Sequence, residues 1–259
     1  VTDLNGFPKL DSTKATYVPM DTFPLEGEPL PEGKAGWCLF FDEANSAPRS
    51  VQASCYKIIL DRMVGQHKLH SKVAIVAAGN LATDNAIVEE MSTALQSRMC
   101  HIEVEVDVED WLAWAYQNGI DYRITSYIQF KPSSLYSFKP DHSDKTFASP
   151  RTWSFCNKLL GNTENLLPLL AGAIGEGVAR EFVGFMKIHN DLPKMATILA
   201  SPELVKVPEE PSILYALTGA LAQVSIESFD KAMVYVERLP LEFQVVCIKE
   251  AIKRNPAVF

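Results

Sequence analysis

The run Leu39-Phe-Phe-Asp42-Glu43 closes a stretch of apolar residues on two adjacent carboxylates. Neighbouring acids leaving a strand point different ways and so can take different tasks. One holds a Mg²⁺ ion, usually through water, while the other orients or activates a water molecule. If the strand belongs to an open parallel sheet, its C-terminal end is where ligands bind. The plainer use of Asp42 and Glu43 is to favour the start of the next helix, where negative charge is welcome. A second apolar run ends in Ala77-Ala-Gly-Asn80. An amide at that tip can reach a phosphate or position a water beside Glu43, although Gly-Asn is also a common turn pair. Arg98 follows Ser92-Thr-Ala-Leu-Gln-Ser at the end of a short helical stretch. It is placed either to reach a neighbouring subunit or to serve as a solvated helix-end cation. Arg151 comes directly after Ser149-Pro150. Proline suits the first helical position, and an arginine just behind it can aim a guanidinium across an interdomain cleft or simply start a helix.

These groups need a scaffold. Gly36-Trp-Cys-Leu-Phe-Phe41, bounded by Gly and acids, reads as a strand buried on both faces, and so does Val73-Ala-Ile-Val-Ala77. Between them Pro48 opens a segment in which Val51, Cys55, Ile58, Ile59 and Met63 recur at helical spacing. Ile102-Glu-Val-Glu-Val106 alternates apolar and acidic residues, as an edge strand does. Strand, helix, strand, helix, strand is the pattern of an α/β unit with parallel strands. The first 35 residues, punctuated by Pro and Gly, permit short strands and turns but no long helix. After Val106 the character changes. Asp107 can cap a helix through Gln117 that stops at Gly119, and further helices begin near Pro150, Glu164, Gly177, Pro193, Glu210, Glu227 and Leu241. The aperiodic stretch 131–149 reads as a connection. The expected division is an α/β domain over 1–130 and an all-helical domain over 131–259.

Composition narrows the function classes. With 24 basic and 32 acidic residues the net charge is −8, and the basic residues gather only loosely at Lys68, His70 and Lys72. A nucleic-acid binder needs a basic face, so DNA or RNA is not the expected ligand. No stretch approaches the roughly 18 uncharged apolar residues that span a bilayer. The five cysteines are widely spaced, sit in apolar surroundings and form no C-x-x-C pair, which fits reduced core thiols in a cytoplasmic protein. His67 and His70 lack a third ligand nearby and suit a hairpin surface. Trp111, Trp114 and Tyr116 fit a packed helical face, the acids from Glu103 to Asp110 a solvated edge, and Gly172 to Gly177 a helix–helix turn.

The order of the four chemical features, acid pair, amide, arginine, arginine, resembles that of the AAA+ ATPase module. Phe40-Phe41-Asp42-Glu43 resembles its Walker B motif, Asn80 its sensor 1, Arg98 its arginine finger and Arg151 its sensor 2. The segment Asp42-Glu-Ala-Asn-Ser-Ala-Pro-Arg-Ser-Val-Gln52 is similar to the corresponding segment of the MoxR-like branch. Asp3-Leu-Asn-Gly6 resembles the start of that branch's helix-2 insert, and Arg62–Leu69 its hairpin before sensor 1. Ser97-Arg-Met99 departs from the branch's common Asp-Arg-Phe.

The resemblance spans about residues 1–160. It implies a three-layer αβα P-loop NTPase base followed by a helical lid. In that plan Asp42 holds Mg²⁺ on ATP through water and Glu43 polarises the attacking water. Asn80 positions that water and senses the γ-phosphate. Arg98 stabilises charge on the nucleotide of the next subunit in a ring, typically hexameric, and Arg151 contacts the γ-phosphate of its own subunit. The implied function is ATP-driven remodelling of a partner protein, and the partner that the resemblance implies is a von Willebrand factor A-domain protein. The phosphate-cradling loop G-x-x-x-x-G-K-[ST] does not occur in these residues. In the family it lies upstream of the helix-2 insert, so the resemblance implies a longer chain in which Val1 is internal. Without the first, central strand, the edges of two apolar strands are expected to lack partners. Two other readings are a non-hydrolysing scaffold with the AAA+ shape and, against the charge balance, a nucleic-acid motor.

Overall fold

Residues 2–11, 13–81, 91, 93–140, 145–161, 164–188 and 192–258 are described by the computed structural model. They form two units, Val1–Glu103 and Val104–Phe259. The first is built from short elements, as its Pro and Gly content requires. A one-turn helix α1 (Thr2–Asn5) precedes an antiparallel hairpin of β1 (Phe7–Leu10) and β2 (Ala15–Val18). Then come β3 (Trp37–Phe41) and α2 (Arg49–Tyr56), the latter running into a π-helical turn at Lys57–Asp61. A small hairpin of β4 (Met63–Val64) and β5 (His67–Lys68) leads to β6 (Val73–Ala77), and α3 (Thr93–Gln96) follows.

The sheet that matters is the pair β3–β6. The strands run parallel, in register from Trp37↔Val73 to Phe41↔Ala77. Arg62, left-handed at φ 54°, ends the π turn and donates from its guanidinium to the carbonyls of His70 (3.2 Å) and Val73 (2.6 Å). Lys57 Nζ donates to the Gly65 carbonyl at 2.7 Å. The π turn, the hairpin and the start of β6 are thereby tied together. Phe23, Ile58, Val64 and Leu69 form a small core, against which Leu39, Phe41 and Ile75 pack from one face of the sheet.

Two expectations for this unit are corrected. β3 and β6 are not buried on both faces: Phe40 and Val76, paired in register, are 55% and 47% exposed. The small core covers one face only, and among the described residues nothing equivalent covers the other. Ile102–Val106 forms no strand, and Ile102 and Val104 are 82% and 90% exposed. An alternating pattern becomes a strand only where another backbone accepts its hydrogen bonds, and the described ladder of β3 and β6 does not extend to it.

The second unit is helical. Its elements are α4 (Val108–Gln117), α5 (Tyr122–Phe130), α6 (Pro150–Leu159), α7 (Leu166–Ile174), α8 (Glu176–Ile188), α9 (Met195–Ala200), α10 (Pro211–Leu221), α11 (Ile226–Val236) and α12 (Leu241–Arg254). The Asp107 side chain accepts from the Asp110 N–H at 2.8 Å and caps α4, and Gly119 (φ 67°) follows its end. Gly175 (φ 83°) makes the tight turn between α7 and α8. One core surrounds Trp153, Tyr127 and Phe182, and a second surrounds Leu217, Tyr235 and Phe243. The described parts of the expected connection, 131–140 and 145–149, pack within this unit. Leu135 and Ala148 are buried, Trp153 Nε1 donates to the Ser134 carbonyl at 2.9 Å, and Thr146 donates to the Ala173 carbonyl at 2.9 Å. None of the described helices is long and apolar enough to cross a membrane.

All five cysteines are free thiols. Cys156 and Cys247 are buried, and burial pushes both thiols up to about 12. Cys38 and Cys100 are exposed, so apolar sequence neighbours do not place every thiol in a core.

Glu250 is the one fully buried carboxylate among the described residues. Arg254 Nε donates to it at 2.8 Å, while Thr125 and Gln129 approach at 3.5 Å. Burial pushes its carboxyl up from 4.5 to about 7 against the pull of Arg254. Because the folded value lies above the unfolded one, the stabilisation is full below pH 4.5 and fades as pH rises to about 7. Urea unfolding, followed by near-ultraviolet circular dichroism, should show stability falling by up to about 3 kcal/mol across that window. Glu250→Gln should flatten the slope, and an unchanged slope assigns the pH dependence elsewhere.

Candidate active site

The acid pair and Asn80 meet because the strands carrying them end together. Gly36 allows the entry: a Cβ there would overlap the Lys72 carbonyl, and the Trp37 N–H donates to that carbonyl at 3.1 Å. At the other end, the Ala78 N–H donates to the Phe41 carbonyl at 2.9 Å and the Ala44 N–H to the Ala78 carbonyl at 2.8 Å. The ladder therefore continues one step past both strands.

Asp42 and Glu43 are exposed at this edge. Asp42 Oδ1 accepts the Glu43 N–H at 3.0 Å, and no described residue engages its other oxygen. Glu43 adopts a left-handed backbone, φ 51°. The conformation is uncommon for a residue with a side chain, and it marks a sharp turn of the chain directly after Asp42. The turn is closed by the Ser46 N–H donating to the Glu43 carbonyl at 2.9 Å.

Asn45 is the residue that joins the two strand ends. Its Oδ1 accepts the Asn80 N–H at 3.1 Å and its Nδ2 donates to the Asn80 carbonyl at 2.7 Å. One side-chain amide thus pairs with a backbone as another strand would, and it is only 8% exposed. Gly79 makes room for it, since a Cβ at that position would overlap the Asn45 amide. With its backbone held at both ends, Asn80 presents its side chain from an exposed position beside the acids. Behind the turn, Gln52 is buried, donating to the Ala47 carbonyl at 3.0 Å and accepting from the Tyr56 hydroxyl at 3.2 Å.

The remaining sequence candidates lie on other elements. Arg98 is exposed in the turn that follows α3, where the Ser97 N–H donates to the Thr93 carbonyl at 3.0 Å; Ser92 lies outside the described residues. Arg151 belongs to the other unit and is exposed in the first turn of α6. That turn has a complete capping box: Ser149 Oγ accepts the Thr152 N–H at 3.2 Å and Thr152 Oγ1 accepts the Ser149 N–H at 2.8 Å. His67 and His70 are occupied structurally, the first against the Tyr17 carbonyl at 3.1 Å and the second accepting the Lys72 N–H at 3.0 Å. Trp111 and Tyr116 are buried, whereas Trp114 is 44% exposed.

No protein-family model, curated protein or solved structure matches the chain.

The Asn45 clamp has a direct thermodynamic signature. Removing it in Asn45→Ala leaves the Asn80 peptide without two partners, a loss of about 1–3 kcal/mol. Gly79→Ala should cost a similar amount, because the new methyl displaces the same amide. The costs should not add: in an Asn45→Ala background the added methyl meets no amide and Gly79→Ala should be nearly neutral. Additive costs in a double-mutant cycle would show that the methyl acts by another route.

Proposed function

We propose that this chain is a subunit of a MoxR-like AAA+ ATPase, coupling Mg-ATP hydrolysis to remodelling of a partner protein within a ring. The observation that carries the reading is the side-by-side arrival of Asp42-Glu43 and Asn80 at the C-terminal edge of two parallel strands in register. In open parallel sheets that edge is where nucleotide chemistry is done. The residues suit the group they would hold. Mg²⁺ that arrives with a nucleotide keeps most of its waters and needs only one or two carboxylates, and Asp42 retains one carboxylate oxygen for it. When bound, Mg-ATP supplies the γ-phosphate that water attacks and the cation that offsets its charge.

Within this reading Asp42 would hold the hydrated cation. Glu43 would polarise the attacking water. Asn80, its backbone anchored through Asn45, would help hold that water and sense the γ-phosphate. Asn45 and Gln52 are positioning residues that keep the turn rigid, so little reorganisation accompanies the reaction. Arg98 serves the nucleotide of an adjacent subunit, and Arg151 that of its own. A six-membered ring and a partner with a von Willebrand factor A domain follow from the family resemblance.

Glu43→Gln should retain ATP binding while turnover falls by about a hundredfold or more, the usual contribution of a positioned base. Unchanged turnover would remove Glu43 from the reaction. Arg98→Ala should also be inactive alone and should regain part of the activity when mixed with Glu43→Gln subunits, since each supplies what the other lacks. Absence of any rescue would place Arg98 outside a shared site.

A further inference from the structure

The last α-helix has two apolar faces, and among the described residues only one is packed into a core. On α12 the inward residues Phe243, Cys247 and Ala251 belong to the second helical core. Leu241, Val245 and Ile252 point the other way and are 74%, 53% and 39% exposed, with Ile248 half-buried between them. The spacing 241, 245, 248, 252 runs four, three, four. At 100° per residue it draws a single narrow stripe, the d-a-d-a seam of a two-helix coil.

The charges beside the stripe identify its partner and orientation. In that register Glu242 and Lys249 hold the two e positions, while the g positions carry Gln244 and the small, buried Ala251. A parallel partner would set e against g and bring no opposite charges together. An antiparallel copy of the same helix sets e against e, so that Glu242 of each chain meets Lys249 of the other twice over. Lys249 also lies 3.9 Å from Glu109, but both side chains are largely exposed and such a pair is weakly held.

We infer that α12 pairs antiparallel with α12 of a second copy of this chain, burying Leu241 against Ile252 and Val245 against Ile248 across a twofold axis. A surface used in this way is isologous: Leu241 of one copy meets Ile252 of the other, and Ile252 of the first meets Leu241 of the second. The helix is already folded on its own core, so pairing orders only side chains. The seam lies on one helix of 14 residues, smaller than the interfaces of permanent complexes, and the dimer is accordingly a reversible one. The pairing needs no nucleotide and stands apart from the ATPase reading.

Sedimentation equilibrium of the full chain without nucleotide should show concentration-dependent dimers. Val245→Glu places two like charges on the axis and should weaken association by about tenfold or more, with the fold checked by far-ultraviolet circular dichroism. Glu242→Lys should weaken it by a smaller factor, and adding Lys249→Glu in the same chain should restore it. Orientation is read by oxidation: a mixture of Leu241→Cys and Ile252→Cys chains should cross-link faster than either alone. The inference is overturned if the parent chain stays monomeric at several hundred micromolar, if Val245→Glu or the charge swap leaves association unchanged, or if Leu241→Cys links to itself as fast as to Ile252→Cys.

Discussion

Everything distinctive about the first unit depends on a parallel pairing of two five-residue strands. Such a pairing is marginal alone, because two strands cannot shield their own hydrogen bonds. Here it is reinforced beyond its length. Gly36 lets the backbones close up at the entry, and the Asn45 amide extends the ladder past Gly79 at the exit. A slip of one residue would break both devices at once, so the acids on one strand and Asn80 on the other keep a fixed offset.

Much of this could be read from residue order. The apolar runs ending at Phe41 and Ala77, the hairpin from Arg62 to Leu69, the Asp107 cap with its stop at Gly119, and the helix start at Ser149-Pro150 all carry local signals strong enough to survive folding. The role of Asn45 carried a weaker one. An asparagine three residues past Asp42 and a glycine just before Asn80 are each common in turns, and only their approach across 35 residues of chain shows that they fit together. Coverage was not legible either. Phe40 and Val76 look like core residues in sequence because hydropathy records what a side chain prefers and not whether another element arrives to meet it. Ile102–Val106 has a strand's alternation for the same reason and lacks the neighbour that would make it one.

The helical unit shows the reverse case. The stretch 131–149 has no periodicity, and yet its described parts are packed, because Trp153 and Thr152 reach back to the carbonyls of Ser134 and Phe147. Aperiodic sequence says nothing against burial when side chains from regular elements satisfy the backbone. Deep in the same unit, Glu250 gathers Arg254, Gln129 and Thr125 around one carboxylate, and Arg254 lies over the Tyr116 ring. That network links α4, α5 and α12, so the helix with the exposed stripe is also firmly tied to its own unit.

The left-handed backbone of Glu43 has a consequence for how this chain can change. Glycine or asparagine would sit there with less strain, so selection for heat resistance alone would favour replacing the glutamate. A laboratory lineage evolved only for survival at high temperature would be drawn toward losing that carboxylate, and one evolved for turnover would be held to it. The position would separate the two pressures within a single residue.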